Sequence, residues 1–164
     1  MTLSHRLRAV AMTMVLALAG VGATSASAQP PPPANCAGTP SATWLNVSVE
    51  GVRNGDGLIA VTLYADDAGS FLVKHGSIDV ERFPARARTT ETCIFVPKPG
   101  VYALAVYHDE NASRKLDRSR FGLPQEGFGF SNNPSTLAGI PTFHSVRLNV
   151  PRANLATRVT LRYP

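Results

Sequence analysis

The feature that most constrains this chain is a hydrophobic period of two, recurring in short runs that Gly and Pro interrupt. Leu45, Val47 and Val49 alternate with Asn46, Ser48 and Glu50. Leu58–Tyr64, Arg86–Val96, Phe143–Val150 and Ala156–Tyr163 are further strand-like runs, and Ser77–Arg82 can form a short edge strand. Successive side chains of a strand point to opposite faces, so this pattern fits half-buried strands. No twelve-residue window after residue 28 carries a helical apolar stripe. Val101–His108 is apolar on both faces, as a central strand should be. Arg53-Asn54-Gly55-Asp56-Gly57 and Pro97-Lys98-Pro99-Gly100 supply turns, the first through Asn-Gly and Asp-Gly. These elements predict an all-β, Ig-like or transthyretin-like sandwich of about seven antiparallel strands with one long loop. Tyr102, two residues after Gly100, stands either as a tyrosine corner, its hydroxyl bonding back to backbone, or as a plain core aromatic.

The N-terminus reads as an export signal. Met1–Arg8 carries His5, Arg6 and Arg8 and no acid. Ala9–Ala23 is apolar apart from Thr13 and two glycines, and Ala26-Ser27-Ala28 offers small residues for cleavage. The apolar run is shorter than the ~20 residues of a bilayer-spanning helix. The expected organisation is a signal peptide over 1–28, a Pro-rich linker over 29–42 and a β-sandwich over 43–164, with the product periplasmic or secreted. No membrane span is expected in the mature chain.

Removing the signal takes two arginines from a formal charge of +5. The remaining basic cluster, Arg114, Lys115, Arg118 and Arg120, is broken by Asp117 and lacks interleaved aromatics, which argues against nucleic acid. Cys36 and Cys93 are the two cysteines. In an oxidising compartment such a pair usually bridges, and a loop of about 58 residues would be worth roughly 4 kcal/mol in the chain-entropy model. Two free thiols are the other possibility.

Asp109–Gly139 has no clear period, and a long structureless stretch in a small domain is often functional. Asp109, Asn111, Ser113 and Asp117 occupy positions 1, 3, 5 and 9 of a calcium-loop pattern. Arg114 stands where the pattern has Gly and Arg120 where it has Glu, and the same residues suit an Asx-rich turn. At the head of the segment Asp109 and Asn111 are also suited to anchoring backbone N–H groups left at the strand end. His108, Asp109, Asn111, Glu126, Phe128 and Phe130 are candidates for ligand binding. Phe121, Phe128 and Phe130 can form an aromatic lip, or fold back to cap the sandwich. His108 beside Asp109, with Ser131 and His144 downstream, offers hydrolase residue types, but there is no G-x-S-x-G elbow. A zinc site at His108 and His144 would need Asp109 or Glu126 as a third ligand.

The run Pro99-Gly100-Val101-Tyr102-Ala103-Leu104-Ala105-Val106-Tyr107-His108-Asp109-Glu110-Asn111, with Lys115-Leu116-Asp117 and Gly122–Asn132 after it, resembles the signature of domain-of-unknown-function family 2141. The resemblance extends from Leu45 to about Leu161, although Ser113-Arg114 replaces the Asn-Gly pair common there. It implies a secreted bacterial β-sandwich without an assigned activity. The functional expectation is a non-enzymatic binding or structural module for a small molecule, a glycan or an envelope protein. No cofactor is required, though calcium is possible. The alternatives are a calcium-stabilised envelope or adhesion module, and a hydrolase centred on His108 and Asp109.

Overall fold

In the computed structural model, residues 31–136 and 139–164 are described. The expected signal peptide over 1–28 lies outside the described residues, as do the first two residues of the linker.

Among the described residues nine strands form two sheets: β1 (Cys36–Ala37), β2 (Thr43–Val52), β3 (Leu58–Ala65), β4 (Asp79–Pro84), β5 (Arg88–Val96), β6 (Gly100–Asp109), β7 (Phe128–Phe130), β8 (Arg147–Val150) and β9 (Leu155–Thr160). The first sheet has the order β1-β5-β2-β9. The second has the order β4-β3-β6-β7, with β8 also pairing β6. The molecule is the expected all-β sandwich, its seven strands of four or more residues joined by two shorter ones.

The period of two builds the core. Leu45, Val47 and Val49 of β2, Ile94 and Val96 of β5 and Val159 of β9 meet Ile59, Val61 and Leu63 of β3 and Leu104 and Val106 of β6. Each is at most 2% exposed, so this layer carries most of the apolar stabilisation. Tyr102 is a tyrosine corner: its hydroxyl donates to the Lys98 carbonyl at 2.7 Å. Turn chemistry acts where the fold needs it. Gly57 has φ +64°, and a Cβ there would lie 2.0 Å from the Asp109 carbonyl oxygen, so no other residue fits.

Three features depart from expectation. Two pairings are parallel, β1 with β5 and β2 with β9. The chain crosses from β8 in the second sheet to β9 in the first, and a strand arriving by crossover is free to run parallel. Phe143–Val146 is a helical turn, α1, rather than the start of a strand. Spacing of i and i+3 lets Phe143 and Val146 join one apolar cluster, which alternation would split between two faces. Finally, the segment after Asp109 contains β7, which pairs with Ala105–Tyr107.

Cys36 and Cys93 form a disulfide, their Cα atoms 4.3 Å apart, which ties β1 to β5. Trp44 packs with both cysteines on the outer face of the first sheet.

Candidate functional site

The polar segment after β6 is held by its own side chains. Asp109 is fully buried; its two carboxylate oxygens accept the backbone N–H groups of Ser113 (2.8 Å) and Arg114 (2.7 Å). Asn111 Oδ1 accepts the Ser113 N–H, and its amide donates to Asp117 at 2.7 Å. Glu126, also buried, clasps the far end by accepting from Glu110 N–H (3.1 Å) and Asp117 N–H (3.0 Å). Burial pushes the Glu126 carboxyl up, and the two N–H bonds offset that only in part.

Of the calcium pattern, Asp109, Asn111 and Asp117 thus point oxygens at N–H donors, and the Ser113 hydroxyl sits 3.4 Å from Asp109. Among the described residues no three His, Cys, Asp or Glu side chains are grouped as a metal would require. Arg114, at the Gly position, has φ +62°, a region costing an ordinary residue roughly 1–2 kcal/mol. The Asp109 bond to its N–H holds it there.

His108 is fully buried and points into the sandwich end. Its Nε2 lies 2.7 Å from the Asp56 carbonyl oxygen, which can only accept, so Nε2 carries the proton. Nδ1 then accepts from the Tyr163 hydroxyl at 2.8 Å, while that hydroxyl accepts from Arg53 N–H. Both ring nitrogens are engaged, which leaves no free base. Ser131 is buried too; its hydroxyl donates to the Val146 carbonyl and accepts Leu104 N–H at 3.0 Å. It stitches β6 to the chain before β8. His144 is exposed on α1. His108, Asp109 and Ser131 are therefore engaged as structural joints, and His144 stands apart from them on α1.

The open surface lies elsewhere, on the outer face of the second sheet. Tyr64 of β3, Ala105 and Tyr107 of β6 and Phe128 and Phe130 of β7 all project there. At one end the face is covered: Phe71 packs edge-on against Tyr64 at 5.2 Å and lies 5.5 Å from Phe143 and 6.0 Å from Phe130. Nearby in the chain, Asp66, directly after β3, pairs with Arg147 of β8 at 2.6 Å. At the other end the described residues leave the face uncovered, and a cavity of about 280 Å³ lies over Thr62, Tyr64, Tyr107 and Phe130. Leu72, Leu116, Arg118, Pro124 and Ile140 wall it. A second cavity, of about 850 Å³, runs on toward Leu123, Arg162 and Tyr163 and shares Arg118, Pro124, Phe128 and Ile140 with the first.

A small hairpin forms one wall. Arg118 and Pro124 pair across it, and Ser119 N–H bonds the Leu123 carbonyl at 2.8 Å. Its tip carries Phe121, 74% exposed, with the Arg120 guanidinium 4.7 Å from the ring centre. Leu123 and Ile140 are 65% and 63% exposed. Burial raises the Tyr64 and Tyr107 phenols, so both stay neutral in ordinary buffers.

Of the sequence candidates, Phe128 and Phe130 lie in this groove, Asp109, Asn111 and Glu126 belong to the loop anchor, and His108 joins Asp56 to Tyr163. Tyr64, Tyr107, Arg118 and Ile140 escape a reading of the sequence. Their one signal is that β6 is apolar on both faces, which implies a second covered surface.

Among the described residues no helix is long and apolar enough to cross a membrane. No curated protein and no solved structure matches the chain. A family model of uncharacterised proteins conserved in bacteria matches residues 47–158, which take in strands of both sheets, and the chain belongs to that family, domain of unknown function 2141.

Proposed function

We propose that this protein is an exported, non-enzymatic binding module that takes a small molecule in the groove on the outer face of its second sheet. One observation carries this reading. The sheet presents Tyr64, Tyr107, Phe128 and Phe130 on its outer face, and the described residues of two chain excursions wall that face without closing it. Concave sites of some 300–1,000 Å³ with an apolar lining and few polar groups are the usual form of small-molecule sites; the cavity of about 850 Å³ falls within that range and the one of about 280 Å³ just below it. A purely structural module would gain more by closing the face, as Phe71 does at its other end.

The polar candidates support a non-enzymatic reading from the opposite side. His108, Asp109, Ser131 and Glu126 are buried, and their hydrogen-bonding capacity is directed to backbone or to Tyr163. Catalysis needs such groups aimed at a space that substrate can fill. Export is supported by the charged, apolar and Ala26-Ser27-Ala28 succession at the N-terminus and by the disulfide.

A fragment screen by backbone amide NMR tests the groove. Binding fragments are expected to shift residues of β3, β6 and β7 around Thr62–Tyr64, Ala105–Tyr107 and Phe128–Phe130. Hits confined to the first sheet, or to the Asp109–Asp117 loop, would overturn the assignment.

A further inference from the structure

If the groove is the binding site, its charge says what it takes: we infer that the ligand is an amphipathic anion, an aryl or alkyl body bearing a carboxylate or sulfonate head. Arg118 lines both cavities and Arg162 lines the larger, and no Asp or Glu is among the lining residues of either. Both arginines are exposed.

Three arginines of the fold are neutralised by acidic partners. Arg53 pairs with Glu110 at 2.6 Å, Arg147 with Asp66 at 2.6 Å and Arg158 with Glu50 at 2.8 Å. Arg118 and Arg162 have none among the described residues. Arg118 gives one N–H to the Gly122 carbonyl at 2.9 Å, which steadies the hairpin and leaves its other donors free. Arg162 is steady at its backbone, since its N–H and carbonyl both bond Phe128, at 2.8 and 3.0 Å. Phe128 lines both cavities. An apolar body resting on Phe128, Tyr107 and Tyr64 therefore carries its head toward two guanidinium groups. A guanidinium is suited to an oxyanion, because its fork of donors matches two oxygens at once.

Two dyes that share an arylamine body separate charge from shape: 8-anilinonaphthalene-1-sulfonate, an anion, and N-phenyl-1-naphthylamine, which is neutral. The folded protein is expected to bind the anion at least about tenfold more tightly at low ionic strength. The difference should shrink as salt screens the charges. Decanoate should displace the anionic dye. The double variant Arg118→Gln/Arg162→Gln, both positions exposed, should weaken the anion by about tenfold and leave the neutral dye within about twofold. Phe128→Ala should weaken both dyes, with a thermal melt confirming folding. Ile140→Ser, at an exposed position lining both cavities, should do the same without touching the core.

If the arginine variant binds the anion as wild type does while Phe128→Ala and Ile140→Ser weaken both dyes, the anion inference is wrong and the groove survives. If neither dye binds, or if Phe128→Ala and Ile140→Ser change neither affinity, the groove assignment falls and the anion inference falls with it.

Discussion

Asp109 does the work of several residues. It ends the most apolar strand, is fully buried, and receives two N–H groups that the turn would otherwise leave without partners. Asp109→Ala is expected to destabilise the protein by about 1–3 kcal/mol, because it strands those donors and releases the left-handed Arg114. Urea denaturation in calcium and in chelator should give the same loss. A variant as stable as wild type in chelator, and different only when calcium is added, would mean that a metal and not the backbone is this carboxylate's partner. The importance of Asp109 was visible in its position after Val101–His108. What was hidden is the identity of its partners, since the same Asp-x-Asn-x-Ser spacing suits a ring of oxygens around a cation or a ring of amides around a carboxylate. Only the fold of the loop distinguishes the two. The same holds for His108, whose partners Asp56 and Tyr163 lie 52 and 55 residues away.

At the level of elements, the long strands were legible because alternation over six or more residues leaves few other readings, as for β2 with its buried Leu45, Val47 and Val49. β7 was not, since three residues, Phe128-Gly129-Phe130, are too short to carry a period, and its pairing with β6 is a tertiary fact. The edge strand β4 carries a testable defect. Asp79 and Glu81 project from the same side of it, two residues apart, toward Gly38. Burial, and then the neighbouring Asp79 charge, raise the Glu81 carboxyl above its ordinary value. A carboxyl raised in the folded state favours the protonated form, so ionised Glu81 weakens the fold above its folded-state pKa, and the penalty disappears as pH falls through it. Glu81→Gln is accordingly expected to raise the melting temperature at pH 7, with the gain vanishing toward pH 4. A melting temperature unchanged or lowered at pH 7 would show that the edge needs this charge, as edges that resist pairing do.

For the molecule as a whole, the two long excursions from β6 and β7 both leave the inter-sheet core intact and both wall the same face. Composition and patterning predict the sandwich for this reason: its core is built from local alternation, whereas the groove is built from whatever the excursions bring over the second sheet. Leu116, Arg118 and Ile140 have no period to announce them. Export makes a prediction at this scale. Mature protein isolated from the producing cells is expected to begin at Gln29 and to have an intact mass two hydrogens below the reduced chain, with no alkylatable thiol. A product that retains Met1–Ala28, or that has two reactive thiols before reduction, would remove the support for an oxidising destination.

The parallel pairing of β2 with β9 also sets an order in time. Leu45, near the start of the folded part, lies opposite Leu155, and Val49 opposite Val159, close to its end. Until the final strand has been synthesised, the first sheet has a bare edge along β2 and the core lacks Val159 and Leu161. Contacts so distant along the chain form late and slowly. A nascent chain therefore cannot complete its first sheet or its inter-sheet core before Leu155–Thr160 and Leu161 have been made.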